Sequence, residues 1–209
     1  MVAPITLGER VEEIASNLID HLPQRFALAG HGMGGVVAME ILRRIPDRVV
    51  RLCLMDTHPL AESPAEAAAR EPQIIAARAG RFDEVIGAML PSDSLAPGAG
   101  RIPVRAAFRA MALDLGPEVF VRQSRALQRR RDQQSTLRKY KGPALILCGA
   151  HDAVTPVKRH AVMAELMPAA RLEVIEEAGH LPPLEAPETI TAALGNWLSR
   201  SPAGQGGVA

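Results

Sequence analysis

Residues Phe26 to Gly35 read FALAGHGMGG, and the meaning of this stretch decides the fold. A short apolar run stops at Gly30. Further glycines follow at Gly32, Gly34 and Gly35, and the pattern then turns helical in VVAMEILRRI. A strand that passes through a glycine-dense turn into a helix is where open parallel sheets hold ligands, because backbone N–H groups converge at the helix N-terminus. Two readings are open. Gly30-x-Gly32-x-x-Gly35 has the spacing of a dinucleotide-binding turn. The same turn is also a G-x-S-x-G nucleophile elbow in which Gly32 stands where the serine would be.

Working outward, Thr6 to His21 reads as a helix, capped by Thr6 and striped by Val11, Ile14, Ala15, Leu18 and Ile19. Arg25 to Ala29 is a short buried strand, Met33 to about Arg44 a helix, and Val49 to Met55 a second strand that ends at Asp56. Strand, helix and strand with short links make a βαβ unit, so the two strands should be parallel. From Thr57 to about Lys139 no strand is expected. Helices open at Ser63-Pro64, Phe82, Pro103, Pro117 and Gln133, and Pro91 to Gly100, PSDSLAPGAG, reads as a flexible loop. Strand character resumes in ALILC, Ala144 to Cys148. A helix capped by Thr155 follows to about Met167, then a fourth strand, Arg171 to Ile175, and a last helix from about Pro187 to Ser199. The expected architecture is α/β, a mostly parallel sheet with flanking helices. Its core spans 1–56 and 140–200, an all-helical segment spans 57–139, and residues 201–209, SPAGQGGVA, form a disordered tail.

Composition bounds the function. The chain has 209 residues, 47% hydrophobic content and a formal net charge of +1. That balance gives no reason to expect nucleic acid or an acidic membrane as a partner. With 3% aromatic residues, base stacking has little to work with. No apolar run nears the ~20 residues that span a bilayer, and MVAPITLGERVEE has no secretory pattern, so a cytoplasmic location is expected. Cys53 and Cys148 lie in apolar strands and read as small buried hydrophobes. His58, His151 and His160 show no metal-ligand spacing, so no metal is expected. Arg129, Arg130 and Arg131 read as a solvated cluster near a helix C-terminus. Ser94 lies in the flexible loop and is not placed to serve as a nucleophile.

Two distant residues separate the two readings of the turn. The dinucleotide reading uses Asp56, at the end of the next strand, to meet a ribose hydroxyl. However, Asp152 lies just past the third strand and His180 just past the fourth. The C-terminal ends of parallel strands share one edge of the sheet. The turn at 32, Asp152 and His180 should therefore converge in one crevice, in the order nucleophile position, acid, base. The imidazole would accept the nucleophile's proton and the carboxylate would hold the ring in the right tautomer.

GHGMGGVVAMEILRRIPDRVVRLCLMDT, LILCGAHDAVTP and AGHLPPLEAPE together resemble the α/β-hydrolase superfamily of esterases and lipases. The resemblance covers about residues 7–60 and 142–199. It implies Asp152 as triad acid, His180 as base, the Met33 N–H as an oxyanion-hole donor, and the helical segment as a cap. Met33, Leu60, Phe82, Leu90 and Phe108 would then line an apolar acyl pocket. Asp56 is the reserve acid, His31 a buttress beside the elbow, and no cofactor is implied. Two departures stand out. Gly32 has no side chain with which to attack a carbonyl. One helix precedes the elbow strand where the superfamily normally has four strands and a second oxyanion donor, so the chain reads as N-terminally truncated, with its first strand at an exposed edge. The expectation is an acyl-ester hydrolase remnant with impaired catalysis on a small-molecule ester. The alternative is a silent pseudohydrolase that pairs with itself or another chain through that edge as a homodimer or binding module. Dinucleotide binding comes third.

Overall fold

The computed structural model describes residues 1–199; the tail expected at 201–209 lies outside them. Four strands form one parallel sheet in the order β1-β2-β3-β4: β1 (Phe26–His31), β2 (Val49–Met55), β3 (Ala144–Gly149) and β4 (Ala170–Ile175). Among the described residues, ten α-helices and the four strands follow in chain order: α1 (Val11–Ile19), β1, α2 (Met33–Arg44), β2, α3 (Pro64–Ala69), α4 (Glu71–Arg78), α5 (Phe82–Met89), α6 (Arg101–Gln128), α7 (Gln134–Lys139), β3, α8 (Val157–Glu165), β4, α9 (Pro182–Glu185) and α10 (Pro187–Ser199).

The period-two alternation of the strands sorts the core into two layers. Leu52, Leu54, Ala144 and Ile146 face α1, α2 and α8, where they pack with Ile14, Leu18, Met39, Leu42 and Met163. Their neighbours Cys53, Met55, Leu145 and Leu147 face the other way, onto Ile190, Ala193 and Trp197 of α10. Both cysteines are buried and free. The α10 layer does not extend over β1, where Ala27 and Ala29 are exposed. The outer edge of β1 has no strand partner among the described residues.

Residues 57–139 contain no strand. Helices α4, α5 and α6 enclose a core of their own, in which Ile74, Ala77, Val85 and Ile86 surround the tilted Phe82–Phe120 ring pair. Ser63 and Glu66 close a reciprocal capping box on α3. The two helices expected at Pro103 and Pro117 run on as α6 across a kink at Gly116 (φ 81°) and Pro117. No described helix is long and apolar enough to cross a membrane.

Three local expectations need correction. The first helix begins at Val11 and not at Thr6, because Gly8 turns the chain at φ 114° and Arg10 takes the cap position. Thr155 does not cap α8. The cap position falls on Pro156, and the threonine side chain turns to Asp152 instead. The stretch 91–100 is tied down, not loose: Ser94 and Leu95 are fully buried, Arg101 donates to the Ala96 and Leu95 carbonyls at 2.8 and 2.9 Å, and Glu185 accepts the Ala96 N–H at 2.7 Å.

Candidate active site

The turn between β1 and α2 comes first. The Gly32 N–H donates to the Met55 carbonyl at 2.9 Å, which fastens the turn to β2. Gly32 sits at φ 52°, ψ −118°, a region open to glycine and strained for other residues. A Cβ built there meets nothing within 4 Å. At Gly35, by contrast, a Cβ would come within 2.5 Å of the Thr57 side chain, so that glycine serves the close approach of helix and sheet. Helix α2 starts at Met33 with no side-chain cap, which leaves the Met33 N–H an open donor at the helix N-terminus.

Across the same edge, His180 Nδ1 lies 2.9 Å from Asp152 Oδ2. The carboxylate also accepts the Thr155 hydroxyl and, on Oδ1, the backbone N–H groups of Val154 and Thr155 at 2.8 and 2.9 Å. Burial pushes the Asp152 carboxyl up, yet the bonds from His180 and Thr155 hold it below its ordinary value. An acceptor on Nδ1 places the imidazole proton there and leaves Nε2 as the basic nitrogen. No described residue bonds that nitrogen. The His180 backbone is fixed as well: its N–H donates to the Ser94 carbonyl at 2.7 Å, and its carbonyl accepts from His31 Nε2 at 2.8 Å. His31 is thus a buttress of the His180 loop. Burial, followed by the nearby His180, lowers its pKa to about 4 and keeps it neutral.

Asp56 completes the cluster. It is fully buried and is the sole non-glycine residue at positive φ (43°) among those described. Its Oδ1 accepts the Gly149 N–H at 3.1 Å. Oδ2 has no hydrogen-bond partner and lies 3.6 Å from His31 Nε2. Burial first, then the Asp152 charge among lesser causes, raises its pKa to about 9, so at neutral pH Asp56 carries a proton while Asp152 does not. The two carboxyls are driven apart by environment. Asp56, Asp152 and His180 offer ligand atoms within 4.8 Å of one another. Four of their six ligand atoms, however, are committed to the hydrogen bonds above, and Asp56 is neutral, so the donor set fits a hydrogen-bonded dyad better than a cation. The raised pKa has a stability consequence. A carboxyl held protonated by the fold stabilises it fully below about 3.8 and progressively less as pH rises toward about 9. Asp56→Asn, which keeps an acceptor for Gly149, should flatten that fall. Its Tm should gain several degrees relative to the parent chain between about pH 6 and pH 8. Parallel Tm–pH curves would refute the protonated Asp56.

A pocket of about 510 Å³ lies over this cluster, lined by Gly32, Met33, Asp56 and His180 from the sheet edge and by Leu90 and Phe108 from the helical segment. Leu60 and Phe82, expected there, are elsewhere: Leu60 is 38% exposed and Phe82 is in the α4–α6 core. The pocket is also not purely apolar. Arg130 lines it with its side chain only 9% exposed, which corrects the solvated-cluster expectation for that residue. Arg129 and Arg131 do reach solvent, at 46% and 52% exposure.

One anchor went unassigned in the sequence. Glu185 accepts three backbone N–H groups, from Gly179 (3.0 Å), Leu181 (2.9 Å) and Ala96 (2.7 Å). It clamps the His180 loop onto residues 91–100. The signal was its position five residues after His180 in GHLPPLE.

Comparison with known proteins agrees with this fold. The family model described as "Alpha/beta hydrolase family" matches residues 3–193. A pimeloyl-[acyl-carrier protein] methyl ester esterase of Aromatoleum aromaticum is 28% identical over 192 residues, covering 87% of this chain and 77% of the relative. The solved structure of a thermophilic esterase from Thermogutta terrifontis, malate bound, superposes with a TM-score of 0.85 at 30% identity, over 93% of this chain and 74% of that one. An enol-lactonase from Burkholderia xenovorans has a TM-score of 0.79 at 23% identity, over 92% and 75% of the two chains, and bears on the fold alone.

Proposed function

The chain belongs to the alpha/beta hydrolase family, and we propose that its crevice is an acyl-ester site with the base and acid in place and the nucleophile position empty of a side chain. The observation that carries this reading is the 2.9 Å His180–Asp152 pair facing the pocket that Gly32 also lines. In this reading residues 57–139 act as a cap over a small ester or related acyl compound. The Met33 N–H stabilises the oxyanion at the helix N-terminus. His180 Nε2 is the general base, and Asp152 holds its tautomer and stabilises the imidazolium. Gly32 supplies the strained elbow backbone and no Oγ, so hydrolysis is slow. The test compares turnover of a short p-nitrophenyl ester by this chain, by Gly32→Ser, and by Gly32→Ser with His180→Ala. Gain in the second and loss in the third support the reading. Equal rates in all three defeat it.

A non-catalytic interaction role is favoured by one observation, the outer edge of β1, which has no strand partner among the described residues and has Ala27 and Ala29 exposed beside it. If that edge pairs, light scattering should give twice the chain mass at high concentration, and a lysine at Ala29 should return the mass to that of one chain. A single-chain mass at every concentration removes self-pairing.

A further inference from the structure

The end of the pocket away from the sheet carries a charge that has too few partners. Arg130 Nη2 donates to His58 Nε2 at 2.9 Å. The same atom is 4.0 Å from Glu62 Oε1, but that carboxylate is already held by Arg70 through bonds of 2.6 to 3.0 Å. Because His58 Nε2 accepts, its proton sits on Nδ1. Burial, then the charge of Arg130, holds the His58 pKa near 4, so the ring adds no charge of its own. His58 Nδ1 and Arg130 Nε are both buried without a partner. The charged groups around Arg130 are Arg70 and Arg159 on one side of the balance and Glu62 and Glu66 on the other. Three guanidinium groups thus face two carboxylates, which leaves one positive charge over. Burial depresses even the Arg130 guanidinium. A desolvated guanidinium with unused donors is costly unless an anion meets it.

We propose that Arg130, with His58 behind it, is the anchor for a carboxylate at the far end of the acyl chain, so that the preferred ligand is the half-ester of a dicarboxylic acid. The proposal rests on reading the pocket as an ester site. A planar carboxylate matches the guanidinium fork. Its single charge meets the single excess charge, whereas a phosphate dianion would bring a second charge toward Glu62 and Glu66. Met89, Leu90, Phe108 and Leu127, which line the same pocket, are suited to the methylene chain between the two polar ends. A volume of about 510 Å³ lies within the range of small-molecule sites.

The experiment measures affinity first, because affinity does not depend on Gly32. Monomethyl and dimethyl esters of dicarboxylic acids, from glutarate to suberate, are titrated calorimetrically into the unmodified chain. The best half-ester should bind roughly 10-fold or more tightly than its dimethyl counterpart, the usual weight of a charge-assisted bond. Arg130→Met should erase that preference, and Arg130→Lys should keep part of it. If the dimethyl ester binds the unmodified chain as tightly as the half-ester, the anchor is overturned whatever the variants do. Turnover by Gly32→Ser then separates the two claims. Half-ester preference without hydrolysis of any ester sinks the ester reading and leaves the anchor. Hydrolysis without preference does the reverse. With both present, KM for the half-ester should rise in Gly32→Ser with Arg130→Met, and the ratio of half-ester to dimethyl-ester kcat/KM should fall to about one.

Discussion

Gly32→Ser should raise the rate of p-nitrophenyl acetate hydrolysis by at least about 10³-fold. The estimate comes from the size of the missing contribution. Loss of the serine from a working triad lowers kcat by about 10⁶, and one oxyanion-hole donor is worth about 10² to 10³. The site offers the Met33 N–H as donor, and restoring the nucleophile should recover part of the full range. A Cβ at position 32 meets open space, so the serine has room in the pocket shared with His180. The backbone stays at φ 52°, where a serine costs about 1–3 kcal/mol. Activity should therefore rise while Tm falls by a few degrees. The added rate should vanish with His180→Ala, since in the proposed mechanism it runs through that imidazole. A Gly32→Ser protein that folds, melts lower and hydrolyses no faster than its parent would show that the elbow does not aim its side chain at His180.

Glu185→Ala should lower Tm by roughly 6–12 °C. One side chain accepts three backbone N–H groups, two from the loop that carries His180 and one from the segment that covers it. Removing an acceptor from partly buried donors leaves each of them short of a bond, at about 1 kcal/mol or more apiece. A total near 3 kcal/mol in a chain of this size corresponds to that Tm change. The site should feel the loss as well. In Gly32→Ser, Glu185→Ala should lower kcat more than it raises KM, because the imidazole loses its fixed position and not its contact with substrate. Glu185→Gln keeps one carboxamide oxygen and should fall between the two. A Tm within about 1 °C of the parent would mean that Arg101 and the Ser94–His180 bond already hold the clamp without it.

Much of this molecule is written locally. The apolar runs at 49–55 and 144–149 read as buried strands, and both strands lie there, the second buried along its whole length. The Ser63-Pro64-x-Glu66 start is a local capping geometry and forms as such. The parallel pairing of β1 with β2 and of β3 with β4 follows from short helical links, and the order of Asp152 and His180 along the strands brings them to one edge, 2.9 Å apart. In each case the physics lies within a few residues or within the topology the residues impose.

Other features depend on what a distant segment does, and the sequence is silent there. Thr155 reads as a helix cap, but a carboxylate three residues earlier, anchored by His180, takes its hydroxyl. PSDSLAPGAG reads as loose, yet the buried Ser94 carbonyl accepts the His180 N–H, and a side chain on Gly179 would strike that same carbonyl. Arg130 sits between two arginines that do reach solvent, and the packing of α6 over the pocket turns it inward. Asp56 reads as a strand-end carboxylate and is held neutral by burial and by Asp152. The sequence by itself determined the sheet and its helical partners, because apolar patterning is local, while the turn at Gly32 kept two local readings that only the distant Asp152 and His180 separated. Only the tertiary structure decided which carboxyl is ionised, which arginine is desolvated and what clamps the histidine, because charge and solvation depend on neighbours up to 149 residues apart, the separation of His31 from the His180 carbonyl it supports.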